Sequence, residues 1–206
     1  PTSDSRAANP IAAVCEYIAT HADERLTLAA LAGVAGMSPF HLQRRFKQEM
    51  GITPKEFHHA QRRNRLAARL RAGDTVSRAI YESGFGSTSR VYDRSLGMTP
   101  ATVRRGGAGQ RIQFSIVDSP FGRLLAAYTE RGVCGVALGD DDDALERTFR
   151  GQFPAADVHR AGETIHEWIT SIVAGLDGAA RPAGGSGPLD LRGTGFQVRV
   201  WEGVRR

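Results

Sequence analysis

Four side chains near residue 40 are of the types that read a DNA duplex. Phe40, Gln43, Arg44 and Lys47 follow Ser38-Pro39 at a spacing that places them along one face of a helix. Gln and Arg can hydrogen-bond base edges in the major groove, an exposed phenyl ring can pack on a thymine methyl, and Lys suits a phosphate. The competing reading of Phe40 is core packing. Leu42 and Phe46, four residues apart, turn another face inward. Ser38 is a good N-cap ahead of a proline at the first helical position, and it is counted with the DNA contacts.

The elements that must hold these residues form a pattern that runs twice between Leu26 and Gly107. The first pass reads Thr27 to Ala32, Gly36-Met37-Ser38, Phe46, then Gly51-Ile52-Thr53-Pro54. The second reads Thr75 to Ile80, Gly84-Phe85-Gly86-Ser87, then Gly97-Met98-Thr99-Pro100. A short helix, a glycine turn, a capped second helix and a Gly-x-Thr-Pro stop make a helix-turn-helix, here in tandem. Between the copies, Pro54 opens a helix to about Arg71, with Phe57, Ala60, Ala67 and Leu70 as its inner face. At ~1.5 Å per residue it spans about 27 Å, a strut that could set two recognition helices about one DNA turn apart. Arg62, Arg63, Arg65, Arg69 and Arg71 on it read equally well as a solvated face or as phosphate contacts. The second recognition helix starts near Ser87 and offers Thr88, Ser89 and Arg90. It is the shorter one: Gly36 to Gly51 is 15 positions and Gly84 to Gly97 is 13.

Charge follows the same division. Residues 1–106 hold 16 Lys/Arg against 9 Asp/Glu, whereas residues 107–206 hold 11 against 13. The basic half coincides with the repeat, as an electrostatic footprint on phosphate requires. The two cysteines, Cys15 and Cys134, have no paired spacing, so neither a disulfide framework nor a Cys-rich zinc site is legible. Of the six histidines only His21 stands within six positions of a cysteine, and on one helical stripe that pair builds no activated thiol. No catalytic residue and no metal ligand is therefore expected. Apolar runs are too short for a membrane span and no signal-peptide core is seen, which implies a cytoplasmic, nucleoid-associated protein.

The flanking segments read in order. Residues 1–9 form a tail, and Pro10 to Ala22 is a helix whose stripe is Ile11, Val14, Cys15 and Ile18. Gly106-Gly107-Ala108-Gly109 is a flexible joint. Past it, Ile112, Phe114 and Ile116 alternate, and Leu124 to Tyr128 and Val133 to Leu138 continue an antiparallel meander. Asp140 to Asp143 fits no calcium loop and reads as the acidic start of a helix, Ala144 to Gln152. A helix from Thr164 to Ala174 carries Ile165, Trp168, Ile169 and Ile172; Ala179 to Pro188 is a loop; Phe196, Val200 and Trp201 begin a last helix. The start at Pro1 and the stop at Arg206 are expected to mark a fragment.

The stretch Ser38-Pro39-Phe40-His41-Leu42-Gln43-Arg44-Arg45-Phe46-Lys47, with its two Gly-x-Thr-Pro stops, resembles the AraC/XylS-type DNA-binding domain. The resemblance implies base contacts at Phe40, Gln43 and Arg44, and at Thr88, Ser89 and Arg90 in the second copy. Further on, Ser119-Pro120-Phe121-Gly122, Leu138 to Asp142, Phe153 to Asp157 and Leu189 to Gln197 resemble O6-alkylguanine-DNA alkyltransferases. That order of modules is the order of Ada-type bifunctional regulator and repair proteins.

The implied fold is mainly α, with two helix-turn-helix units joined by a long helix, followed by a small α/β RNase H-like subdomain truncated at its C-terminal end. The implied boundaries are 10–106 for the DNA-binding domain, 107–111 for a hinge, 112–190 for the RNase H-like subdomain, and 191–206 for the start of a catalytic subdomain. The family's alkyl-acceptor motif, Pro-Cys-His-Arg, does not occur in the sequence, nor does the four-cysteine zinc module. No cofactor is thus expected here, zinc belonging to that other module. The resemblance implies a transcriptional regulator of the response to DNA alkylation, with double-stranded DNA and RNA polymerase as partners and no membrane. A parent protein of this type would also be a methylated-DNA–protein-cysteine methyltransferase. The alternative is an AraC-type regulator whose second half senses a ligand or binds a partner.

Overall fold

The computed structural model describes residues 9–86 and 96–177. Expectations for Thr88, Ser89 and Arg90, for the loop Ala179 to Pro188, and for the helix of Phe196, Val200 and Trp201 lie outside the described residues.

Helix boundaries follow local capping chemistry. Helix α1 (Pro10–Thr20) begins under Asn9, whose side chain accepts the Ile11 amide. Helix α2 (Leu28–Ala35) begins under Thr27, whose hydroxyl accepts the Ala30 amide, and ends where Gly36 turns left-handed at φ 63°. Helix α3 (Pro39–Met50) runs from the Ser38 cap to Gly51. Helix α4 (Pro54–Arg71) opens on a full capping box: Thr53 Oγ1 accepts the Glu56 amide, and the Glu56 carboxylate accepts the Thr53 amide at 2.6 Å. The second copy repeats the threonine caps at Thr75 and Thr99 but makes shorter helices, α5 (Val76–Glu82) and α6 (Pro100–Arg104).

Helix α6 stops early because Gly106 and Gly107 adopt φ 64° and 81°, and the Gly107 amide turns back onto the Thr102 carbonyl at 2.9 Å. The joint expected here, with its hinge at 107–111, is instead a chain of hydrogen-bonded turns. The Gln110 amide donates to the Gly107 carbonyl, the Ala155 amide to the Gly106 carbonyl, and Arg111 already belongs to a strand. Glycine's access to positive φ is used for tight turning rather than for slack.

Strands β1 (Arg111–Ser119), β2 (Gly122–Thr129) and β3 (Gly132–Gly139) form the expected meander. A further strand, β4 (Asp157–Arg160), pairs parallel with β1 and gives the mixed order β3-β2-β1-β4. Its sequence, Asp157-Val158-His159-Arg160, holds one apolar residue and so carries no strand periodicity. Helix α7 (Asp142–Gln152) starts on the acidic run: Asp141 caps it through the Ala144 amide, and Asp142 pairs with Arg123 at 2.6 Å. Helix α8 (Glu163–Asp177) covers the other sheet face through Ile169 and Val173, with Ile165 beside them. Trp168 of the same helix is 43% exposed. The inner stripe steps by four residues along 165, 169 and 173, which turns 168 outward.

Two large cores share helix α4. Its first half gives Phe57 and Ala60 to a core with Ile11, Val14, Cys15, Ile18, Leu42 and Phe46. Its second half gives Leu66 and Leu70 to a core that contains Ile80, Leu96, Met98 and Val103, and also Ile112, Phe114, Leu125, Phe149 and Phe153 from the sheet unit. The second helix-turn-helix and the sheet are thus packed into one hydrophobic body.

Arg62, Arg65, Arg69 and Arg71 of α4 are engaged within the chain. Arg62 donates from Nε to the Ala22 carbonyl at 2.8 Å and from Nη2 to the Glu24 carbonyl at 2.7 Å. Arg65 pairs with Asp23 at 3.0 Å, Arg69 with Asp74 and Glu82, and the Arg71 guanidinium lies 5.1 Å from the Phe153 ring centroid. They tie neighbouring loops to the strut, because an arginine side chain is long enough to reach carbonyls left open at the ends of adjacent helices. His58 does the same from a buried position, its Nε2 standing 2.9 Å from the Ala22 carbonyl.

Two outcomes follow. Leu70→Ala should lower unfolding stability by about 2–5 kcal/mol, read by urea denaturation, because the fully buried side chain leaves a cavity. Burial is the largest influence on the His58 imidazole and lowers its pKa, although the hydrogen bond to Ala22 opposes it and Arg62 and His59 assist it. The unfolded chain therefore takes up a proton near ~6.5 that the folded chain resists, so stability held above that pH is lost as pH falls through it. His58→Gln should flatten the decline in melting temperature between about pH 7.5 and 5.5.

Candidate nucleic-acid interface

Helix α3 is built to show one face. Leu42 and Phe46 are fully buried and Met50 nearly so, with the Phe46 ring meeting Phe57 edge-on at 5.8 Å. Burying this stripe is worth roughly 1.5–3 kcal/mol for each large side chain and locks the rotation of the helix. Once Leu42 and Phe46 point inward, Phe40, Gln43, Arg44 and Lys47 must point out. All four are exposed, Phe40 to 77%. The core-packing alternative for Phe40 therefore does not hold.

The charges on this face divide by partnership. Arg45 spends its guanidinium on Glu49 at 2.8 Å, and Glu49 also accepts from the Asn9 side chain. Arg44 and Lys47 have no acidic partner among the described residues. Ser38 has its hydroxyl 3.3 Å from the His41 amide, so it holds the start of the helix while remaining at the surface. The structure thus brings together five of the eight expected contacts. The other three, Thr88, Ser89 and Arg90, lie outside the described residues.

A cleft of about 670 Å³ opens beside Gln43 and is lined by further side chains that the sequence pattern does not reveal. Arg25 comes from the α1–α2 loop, and Lys55 and His59 from the first turns of α4, above the buried His58. Arg25 also lines a second cleft, of about 480 Å³, with Arg65 and the 80% exposed Tyr81. None of these residues has a regular spacing to α3 in the sequence; only the folding of the loop onto α4 places them there. The hint available in advance was Lys55 directly after the Thr53-Pro54 cap, since a cation is seldom favoured at a helix N-terminus for its own sake.

Neither cysteine can act as a ready nucleophile. Cys15 is wholly buried in the first core and Cys134 nearly so in the second. Burial pushes both thiols up to about 12, with Glu49 adding to the effect at Cys15. At neutral pH they stay protonated, whereas nucleophilic attack needs a thiolate. Among the described residues no helix is long and apolar enough to cross a membrane.

Comparison with known proteins places this face within a domain. Residues 31–106 match the family described as "Helix-turn-helix domain". The chain is 40% identical over 183 residues to the bifunctional transcriptional activator/DNA repair enzyme Ada of Escherichia coli, covering 87% of this chain and 51% of that protein. It is 37% identical over 205 residues to the regulatory protein ada of Salmonella typhimurium, covering 98% of this chain and 57% of that one. An uncharacterised helix-turn-helix-type transcriptional regulator of Bacillus subtilis, YbfI, is 33% identical over 78 residues, 38% of this chain and 28% of that protein. The chain spans about half the length of the two Ada relatives. With its helix-turn-helix region followed by a small mixed sheet, this chain is an Ada-type sequence with an AraC-type helix-turn-helix domain.

Proposed function

We propose that the chain is a sequence-specific, double-stranded-DNA-binding regulator of transcription in the response to DNA alkylation, with α3 as its recognition helix. One observation carries this reading: an outward phenyl ring at the start of α3 stands beside Gln43, Arg44 and Lys47, and the two cations have no acidic partner among the described residues. A helix of this kind, entering the major groove by its N-terminal end, directs Phe40, Gln43 and Arg44 at base edges. Lys47, Arg25 and Lys55 flank it and take phosphates on either side. Thr88, Ser89 and Arg90 are assigned the second contact set, and RNA polymerase is the partner of the DNA-bound form. DNA reading in this way uses no cofactor. The sheet with α7 and α8 is read as the RNase H-like subdomain of an alkyltransferase, serving here as a supporting unit.

Alkyl transfer is not assigned to this chain. The sequence has no Pro-Cys-His-Arg motif, and both thiols are buried and protonated. Incubation with duplex DNA containing O6-methylguanine should leave both cysteines at their unmodified mass. A gain of one methyl group on either, seen by mass spectrometry, would overturn this assignment.

The DNA reading is tested by binding measured against salt and sequence. Arg44→Ala and Gln43→Ala should each cost about 1–3 kcal/mol on a selected site and relax preference at one base position. Lys47→Ala should weaken selected and random duplexes alike and reduce the salt slope by about one. If Arg44→Ala behaved as Lys47→Ala is expected to, the guanidinium would be a phosphate contact and base reading at that position would be refuted.

A further inference from the structure

We propose that the sheet unit is a positioning part of the DNA reader: the end of its β2–β3 hairpin holds the second helix-turn-helix in place. The proposal rests on the DNA-reading function above. Three contacts meet at Gly97, which directly follows the segment expected to contain the second recognition helix. Thr129 Oγ1, at the end of β2, donates a hydrogen bond to the Gly97 carbonyl. Gly97 stands at φ 64°, and a Cβ on it would collide with the Val133 carbonyl oxygen, so the backbone of this turn rests directly on β3. On either side Leu96 and Met98 are buried in the core that also contains Phe114, Leu125 and Cys134 of the sheet.

The far end of the same helix-turn-helix is held in the same way. Ile80 of α5 is buried in that core, Phe85 packs on it, and Arg71 at the end of α4 lies over the Phe153 ring. Among the described residues no comparable contact ties the first helix-turn-helix to the sheet, its core being closed by α1 and the first half of α4. Thr129 is therefore a positioning residue for one half of the reader. Its hydroxyl also accepts the Arg131 amide at 3.1 Å, which fixes the hairpin turn that reaches Gly97. A serine there keeps both bonds and a valine keeps only the shape.

The test uses the full chain and a duplex selected from a random pool. Hydroxyl-radical footprinting should show that Thr129→Val keeps protection over the half-site met by α3. Over the other half-site its dissociation constant should rise roughly three- to tenfold, as loss of one hydrogen bond implies. Thr129→Ser should restore wild-type behaviour. Equal losses at both half-sites, or no loss at either, would overturn the proposal. Should the wild-type chain protect no site, the DNA-reading function fails, and native-state amide hydrogen exchange on the wild type then decides the positioning question by itself. Amides of α5 and α6 should open together with those of β1 and β2, and separately from those of α2 and α3. If α5 and α6 instead opened together with α2 and α3, the sheet would have no part in holding them.

Discussion

A single helix divided between two cores sets the arrangement of this molecule. Phe57 and Ala60 of α4 lie in one apolar cluster, and Leu66 and Leu70 lie in another, on the same rigid rod. Because an α-helix rotates by a fixed angle per residue, the direction in which each cluster buries its stripe fixes the relative rotation of the two helix-turn-helix units. Fully buried Leu42 and Phe46 then transmit that constraint to α3 and leave its polar face in solvent. The arginines and His58 along α4 complete the frame by fastening the loops at its sides, from Ala22 to Glu24 on one flank and from Asp74 to Glu82 on the other.

The two copies of the repeat show how the same local chemistry meets different surroundings. Thr27 and Thr75 cap their helices alike, and Gly36 and Gly84 both turn left-handed. Around Gly36 a side-chain carbon would find open space, whereas at Gly84 it would lie 2.5 Å from the Asp23 carbonyl oxygen. The glycine of the first copy serves only its turn; that of the second also lets the backbone of one unit rest on the loop of the other. The Gly-x-Thr-Pro stops diverge more. Thr53 meets Glu56 in a capping box and starts 18 residues of helix, while Thr99 meets Thr102 and starts five, because Gly106 and Gly107 end the helix.

A division of labour follows. The first unit closes its own core with α1, while the second shares its core with the sheet. What the charge distribution separates into a basic half and a slightly acidic half, packing therefore joins again across residues 106–111. Within the sheet unit Asp118 and Asp142 pair with Arg123, and Glu146 pairs with Arg150 and Arg160.

Sequence alone determined what depends on neighbours a few residues apart. The caps at Thr27, Ser38 and Thr75, the buried stripe of α3, the three-stranded meander and the acidic start of α7 were all legible, because side-chain-to-backbone capping and period-two or period-3.6 burial are local rules. Those rules also placed Gln43, Arg44 and Lys47 on a common face. Tertiary structure alone decided whatever rests on partners distant in the chain. Strand β4 exists because β1 offers it an edge, and its single buried valine could not announce it. Arg62 and Arg65 of α4 reach the loop from Ala22 to Glu24 because that loop folds back beside the helix. The stretch Gly106-Gly107-Ala108-Gly109, which read as slack, became turns once the Ala155 amide and the Gly106 carbonyl met. A glycine run specifies only that the backbone is free to choose, and the packing on either side makes the choice.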